Sequence, residues 1–356
     1  MTSEQLLRVA TEHKASDLLL MSGQPPLLKV DGHWRPLENM PPMDDGRIVN
    51  LLIEVMPPHL HDHLKLNHDG SDPRPLDLDF SFATSDGTRY RANIYNTQGR
   101  PAAVIRIIPN RVIPLEKLGF PVNVVERALR SPQGLILVTG ATGSGKSTTL
   151  AAMVEWINTH AARHIVTIED PIEFVFVPKR SIISQREVGS DTESFLVGLR
   201  AALRQAPDVI LVGEMRDQET IRAALTAAET GHLVMATLHT NSAPEAVTRI
   251  VDVFGGDEQH LVRTQLADTL LLVIRQALLP AASGGRVLAY ELMVNTPAIA
   301  NLIRKGDVHQ IPGAMKTGRE QGMVPYDLSV KTLAQKGLIT RETANAALHD
   351  PREGRL

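Results

Sequence analysis

The run Gly140-Ala141-Thr142-Gly143-Ser144-Gly145-Lys146-Ser147-Thr148 places glycines, a lysine and hydroxyls at the spacing G-x-x-x-x-G-K-[ST]. Each residue type has a task there. The glycines let backbone N–H groups wrap phosphate oxygens, and a helix starting at the lysine adds its positive end. Lys146 neutralises β- and γ-oxygens, and the Ser147 hydroxyl ligates Mg²⁺. The whole run from Gly140 to Thr148 is expected to contact ATP. A chance glycine turn is the plainer reading, but it would lack the strand before and the helix after that this loop needs.

Hydrolysis also needs carboxylates beyond the γ-phosphate. Val209 to Val212 is an apolar run led by Asp208 and ended by Gly213-Glu214. A strand there puts Glu214 at its C-terminal edge, where a carboxylate can polarise the attacking water. Glu169-Asp170-Pro171-Ile172-Glu173 follows another apolar run, and its acids can hold Mg²⁺ through water at the same edge. The plainer readings are a surface acid for Glu214 and a structural turn at Pro171. His232 and His239 bracket one further apolar run, and each reads equally well as a structural histidine. Arg91 and Arg106 lie far upstream. They are either solvated strand arginines or cations that reach the γ-phosphate across a domain or subunit boundary.

These groups must be positioned by a sheet. Leu135–Thr139, His164–Ile168, Val209–Val212, His232–Leu238 and Val287–Leu292 are short apolar runs alternating with helical patterns, the rhythm of a mostly parallel sheet with crossover helices. Leu150, Met153, Val154 and Ile157 form one apolar helical stripe, and Ile221, Ala224, Leu225 and Ala228 form another. Upstream, an amphipathic segment from Glu4 to His13 precedes the strand-like runs Asp17–Met21 and Leu27–Val30, with Asp31-Gly32 as a hairpin turn. Asp77–Ala83 and Thr88–Ile108 complete a small mixed domain. Pro109, Pro114 and Pro121 mark a stiff linker. The expected organisation is α/β: an N-terminal domain over residues 1–108, a linker over 109–121, and a phosphate-binding domain over 122–356.

With 356 residues, 43% apolar and 22% charged, the chain can bury two cores. A net charge of −3 and 4% aromatic residues give no basic excess and few stacking platforms, so direct binding of nucleic acid is not expected. The chain has no cysteine, which excludes disulfides and thiolate zinc sites, and no apolar stretch approaches a membrane span. A cytoplasmic protein is expected.

In order along the chain, Gly140 to Ser147, Thr167-Ile168-Glu169-Asp170-Pro171-Ile172-Glu173, Gly213-Glu214-Met215-Arg216-Asp217, and Thr230-Gly231-His232 with Leu238-His239-Thr240 resemble the Walker A, Asp box, Walker B and His box of the secretion ATPase superfamily. Nearly the whole chain resembles its type IV pilus retraction ATPases, and Gln185-Arg186-Glu187-Val188 also fits. The resemblance implies a PAS-like α+β domain followed by a RecA-like P-loop ATPase domain with a C-terminal helical region. It also implies a hexameric homo-oligomer that hydrolyses ATP with Mg²⁺ to power pilus retraction and twitching, with an accessory retraction ATPase or a secretion or conjugation ATPase of another envelope machine as the alternatives. Such a ring acts on an inner-membrane platform protein, peripheral to that membrane, in the company of a paralogous pilus ATPase. The implied catalytic set is Glu214, Glu173, Arg91, Arg106 and His239, with His232 joining the nucleotide contacts and Ser147, Glu169 and Glu173 serving the metal. Two places depart from the pattern: Leu19 stands where the family's N-terminal motif has histidine, and Ala314-Met315-Lys316-Thr317-Gly318-Arg319-Glu320-Gln321-Gly322-Met323 has Met and Lys where the retraction signature has Ile and Arg.

Overall fold

The computed structural model describes residues 1–30, 32–68, 76–108 and 112–349. The chain forms two compact units, Met1–Arg111 and Val112–Leu356.

In the first unit, helix α1 (Ser3–Glu12) leads into β1 (Asp17–Met21), β2 (Leu27–Val30) and β3 (His33–Pro36). Helices α2 (Asp45–Val55) and α3 (His61–His68) then precede β4 (Asp77–Ala83), β5 (Arg89–Thr97) and β6 (Arg100–Ile108). The strands make an antiparallel six-stranded sheet in the order β3-β2-β1-β6-β5-β4. Strict alternation decides what each face does. Tyr90, Ala92 and Ile94 of β5 are buried with Leu18, Leu20 and Ile105 beneath Leu6, Leu7, Ile48 and Leu52 of α1 and α2, while Arg89, Arg91 and Asn93 take the opposite face. Thr2 starts α1 with a capping box closed by Gln5. Sequence periodicity predicted α1 and the strands but not α2. Asp31 of the expected hairpin turn lies outside the described residues.

In the second unit the order is α4 (Val122–Leu129), β7 (Gly134–Thr139), α5 (Lys146–His160), β8 (His164–Glu169), β9 (Ile182–Glu187), α6 (Phe195–Ala202), β10 (Val209–Val212), α7 (Gln218–Glu229) and β11 (Leu233–Leu238). There follow α8 (Ala243–Asp252), α9 (Gly256–Thr269), β12 (Leu270–Pro280), β13 (Arg286–Val294), α10 (Pro297–Lys305), α11 (Ile311–Thr317), α12 (Tyr326–Gln335) and α13 (Arg341–His349). The seven-stranded sheet runs β13-β12-β7-β11-β10-β8-β9, parallel except for the β12–β13 pair. Every residue of β7, β10 and β11 is buried, which is why these strands read as unbroken apolar runs. One face packs on α7, α8 and α9 through Ile221, Leu225, Ile250 and Leu266. The other packs on α5 through Leu150, Met153, Val154 and Ile157. Helices α12 and α13 cover the far ends of β12 and β13 with Val330, Ala344 and Ala347.

From Val112 on, the expected linker is not a free tether. Residues 109–111 lie outside the described residues, and from Val112 the chain belongs to the second unit, with Leu115 and Phe120 buried in its core. Proline spacing signals stiffness. It does not distinguish a free tether from a strap packed on a core, and the apolar residues between Pro114 and Pro121 make it a strap. Among the described residues no helix is long and apolar enough to cross a membrane.

Candidate active site

The parallel registers bring the chemistry to one edge. Thr139 pairs with Leu238, and Val212 pairs with Ile168, so the segments after β7, β8, β10 and β11 all leave the sheet on the same side. Gly140, Glu169, Glu214 and His239 therefore lie along one edge of the sheet although they are far apart in sequence. This is the crevice outside the carboxyl ends of parallel strands where α/β proteins hold ligands.

The loop after β7 has little freedom. Gly140 has φ +139°, and a Cβ there would run into the carbonyl oxygen of Gln276 on β12 and stand 2.7 Å from Ser144 Oγ. Gly145, at φ +93°, starts α5 from the left-handed region, so the helix points its free N–H groups at the loop. The Lys146 ammonium donates to the carbonyl oxygens of Gly140 at 2.8 Å and Ala141 at 3.1 Å. Burial pushes the Lys146 pKa down, while the charges of Glu214 and Glu173 pull it back up. Ser144 Oγ and Thr139 Oγ1 are buried without a hydrogen-bond partner. A cradle whose lysine is bonded only to loop carbonyls and whose buried hydroxyl is unpaired suits a phosphate chain.

Glu214 is held by two cationic or potentially cationic groups. Its Oε2 lies 2.7 Å from Arg216 Nη2 and its Oε1 lies 3.3 Å from His239 Nε2. Burial pushes its carboxyl upward, but Arg216, His239 and Lys146 outweigh that and hold it below the usual glutamate value. The turn that carries it is tied on both sides: the Gly213 N–H donates to Ile168 O at 2.8 Å, and Thr237 Oγ1 donates to Gly213 O at 2.5 Å. In the sequence Arg216 stands inside the Gly213–Asp217 motif. Its position two residues beyond Glu214 at a strand end is the signal that identifies it as a partner.

Glu169 ends β8 half-buried. It accepts from Thr167 Oγ1 at 2.6 Å and from Gln185 Nε2 at 3.2 Å, yet burial still raises its pKa. Glu173 is exposed, and its charge reaches both Glu169 and Lys146. No group of three or more His, Asp or Glu residues able to hold a metal ion occurs among the described residues. Glu169 and Glu173 lie close enough for their charges to interact, and Mg²⁺ takes one or two carboxylates and completes its shell with phosphate and water.

His232 is not brought to this edge. It sits before the first residue of β11, with Nδ1 3.0 Å from Ala227 O at the C-terminus of α7, whereas His239 follows the last residue. The two histidines thus occupy opposite edges of the sheet, and within the chain only His239 joins Glu214. A strand of six residues spans about 20 Å, too far for both to serve one site.

Beside the phosphate loop opens a cleft of about 650 Å³, lined by Ala141–Ser144, the end of β12 including Arg275 and Leu278, Arg286, and Thr343 and Ala347 of α13. Its volume is that of a small-molecule site. Sequence periodicity does not reveal β12 or its cleft, because the apolar run Leu270–Ile274, followed by Arg275 and Gln276 and then Ala277–Leu279, fits a buried helix as well as a buried strand.

Arg91 and Arg106 lie in the first unit, opposite one another on β5 and β6. Arg106 Nε is 2.9 Å from Asp17 Oδ1, and Arg91 Nε is 3.7 Å from Asp79 Oδ1.

Comparison with known proteins bears out the resemblance read from the sequence. The chain is 47% identical over 340 residues to the type IV pilus retraction ATPase PilT of Pseudomonas aeruginosa, covering 96% of each. It is 38% identical over 357 residues to the type IV pilus ATPase PilU of the same organism, covering 100% of this chain and 91% of that one. A crystal structure of the pilus retraction motor PilT with bound ADP superposes with a TM-score of 0.90 at 44% identity, covering 99% of both chains. Residues 75–343 match the profile of the type II/IV secretion system proteins, and the chain belongs to that family.

Proposed function

We propose that this protein is an ATPase that powers type IV pilus retraction. The observation that carries the reading is the lysine-bearing cradle at one sheet edge with Glu214 facing it, in a chain that aligns end to end with retraction motors. Phosphates of ATP replace the loop carbonyls on Lys146 and engage the N–H groups from Gly140 to Thr148. The nucleoside extends toward the cleft at the end of β12. Ser147, Glu169 and Glu173 would hold Mg²⁺, which would neutralise charge on the phosphates. Glu214, ionised and oriented by Arg216 and His239, positions the attacking water. Arg91 and Arg106 stabilise the charge that builds on the γ-phosphate, from their own or a neighbouring subunit. His232, on the opposite edge, serves a neighbour's nucleotide in a closed ring or is structural.

The working form is a homo-hexameric ring in the cytoplasm that acts on an inner-membrane platform protein, alongside a paralogous pilus ATPase. Each ATP site biases the angle between the two units, and firing round the ring draws pilins out of the fibre. Deleting the gene tests this directly: surface pili should accumulate and twitching should stop. Loss of pili would instead make the protein an assembly motor. A second reading, an accessory retraction motor, is supported by the 38% identity to PilU along the whole chain. It predicts that the deletion leaves unloaded retraction intact.

A further inference from the structure

The chain between β8 and β9 is extended but joins no ladder. From Ile172 to Val177 its residues alternate, with Ile172, Phe174 and Phe176 buried and Glu173, Val175 and Val177 exposed. A strand-like segment outside a sheet needs other partners for its backbone groups. Side chains supply them. The N–H of Ile172 donates to Glu187 Oε2 at 3.1 Å, the N–H of Phe176 donates to Gln185 Oε1 at 3.0 Å, and Gln185 Nε2 donates to Phe174 O at 2.8 Å. Further along, Asn158 Nδ2 donates to Val177 O at 2.9 Å.

Gln185 differs from the other clamps. The same Nε2 that holds Phe174 also donates to Glu169 Oε1 at 3.2 Å. One planar amide thus fixes the acid at the end of β8 and both backbone groups that flank Val175, two residues beyond Glu173. Only an amide can do this, since it offers two N–H donors and an acceptor from one head. A glutamate at 185 would keep the acceptor for Phe176. It would lose both donors and set a like charge against Glu169.

We propose that Gln185 is a positioning residue for hydrolysis: by clamping the Phe174–Phe176 backbone and the Glu169 carboxylate together, it holds Glu173 where the metal-bound nucleotide requires it. The inference rests on the reading that Glu173 serves the metal and the nucleotide. Gln185 touches neither, and its effect passes through the acids.

The test uses full-length protein and the variants Gln185→Met, Gln185→Glu, Glu173→Gln and Gln185→Met/Glu173→Gln. Three readouts are taken: fluorescent ADP affinity without Mg²⁺, ATP turnover against Mg²⁺ concentration, and thermal melting. Gln185→Met is expected to keep Mg²⁺-free ADP affinity within about twofold of the wild type, lose roughly 10-fold or more in turnover and need severalfold more Mg²⁺ for half-maximal rate. In the Glu173→Gln background the same substitution should cost clearly less than in the wild type, the remainder passing through Glu169. Gln185→Glu, which keeps the contact to Phe176 and so the fold, should be at least as slow as Gln185→Met. Undiminished turnover in Gln185→Met beside an impaired Glu173→Gln overturns the inference alone, and so does a full additional loss in the double variant. Loss of Mg²⁺-free ADP affinity in step with turnover in both Gln185 variants would mean a merely structural glutamine. Normal turnover in Glu173→Gln would remove the site assignment itself, and the inference with it.

Discussion

Arg91 and Arg106 are direct cross-strand partners, two guanidinium groups on one face of the first unit's sheet. Like charges so placed repel. Carboxylates on the flanking strands offset this: Asp79 next to Arg91, and Asp17, which is 6% exposed and also lies 4.0 Å from Lys29, next to Arg106. Asp17 is the more critical because it is buried while its cations reach solvent. Asp17→Asn should lower the stability of the full chain by roughly 2 kcal/mol, whereas Arg106→Ala, 64% exposed in its side chain, should cost about 1 kcal/mol or less. Urea unfolding of the two variants checks the order. A larger cost for Arg106→Ala would contradict it.

Glu214→Gln keeps the shape of the side chain and removes its charge. Turnover is expected to fall by about 10² or more with nucleotide affinity within about threefold of the wild type, since the cradle is untouched. Steady-state phosphate release and titration with fluorescent ADP measure the two. Comparable losses in both would place Glu214 in binding rather than in the chemical step.

Gly140→Ala attacks the cradle from behind. The added Cβ meets Gln276 O and Ser144 Oγ at a residue of positive φ, so a cost of roughly 2–4 kcal/mol is expected. Wild-type protein should melt higher with ADP by mass action, and Gly140→Ala should show no such shift. An equal ligand-induced shift in both proteins would show that the loop tolerates the methyl group.

The Glu214 carboxyl is held below the ordinary glutamate value of 4.5 in the folded chain. Between the lowered folded pKa and the unfolded value near 4.5, the unfolded chain binds more protons. The stabilisation from Arg216 and Lys146 is therefore fully present above that window and is lost as pH falls through it. Removing the acid removes this dependence, so Glu214→Gln should lose less stability than the wild type on acidification from pH 5 to about pH 3.5. Denaturant melts at several pH values decide the matter, and parallel curves would refute the assignment.

The phosphate loop, Glu214 and the strand ends were legible because buried parallel strands are written as apolar runs punctuated by glycine and acid, as in Val209–Val212 before Gly213-Glu214. β9 was not, because Ser184, Gln185 and Arg186 of this edge strand carry polar side chains that do local bonding work. The placement of His232 was illegible for another reason. Sequence order shows that it brackets β11 but not that the strand's two ends face different edges. The segment from Ala314 to Met323 becomes intelligible only through packing. Met315 and Met323 are buried in the core, Gly318 lies against Met323, Gly322 at φ +91° lies against Val124, and Lys316 is exposed. Its two departures from the retraction signature thus fall on a core position that accepts a flexible apolar chain and on a solvated one.

The buried clusters behind the arginine pair and behind the phosphate loop have no residue in common. Genetic lesions should therefore sort cleanly. Interior substitutions before residue 109 loosen the scaffold of the guanidinium donors while the loop around Lys146 keeps its own support, so suppressors of one class need not touch the other.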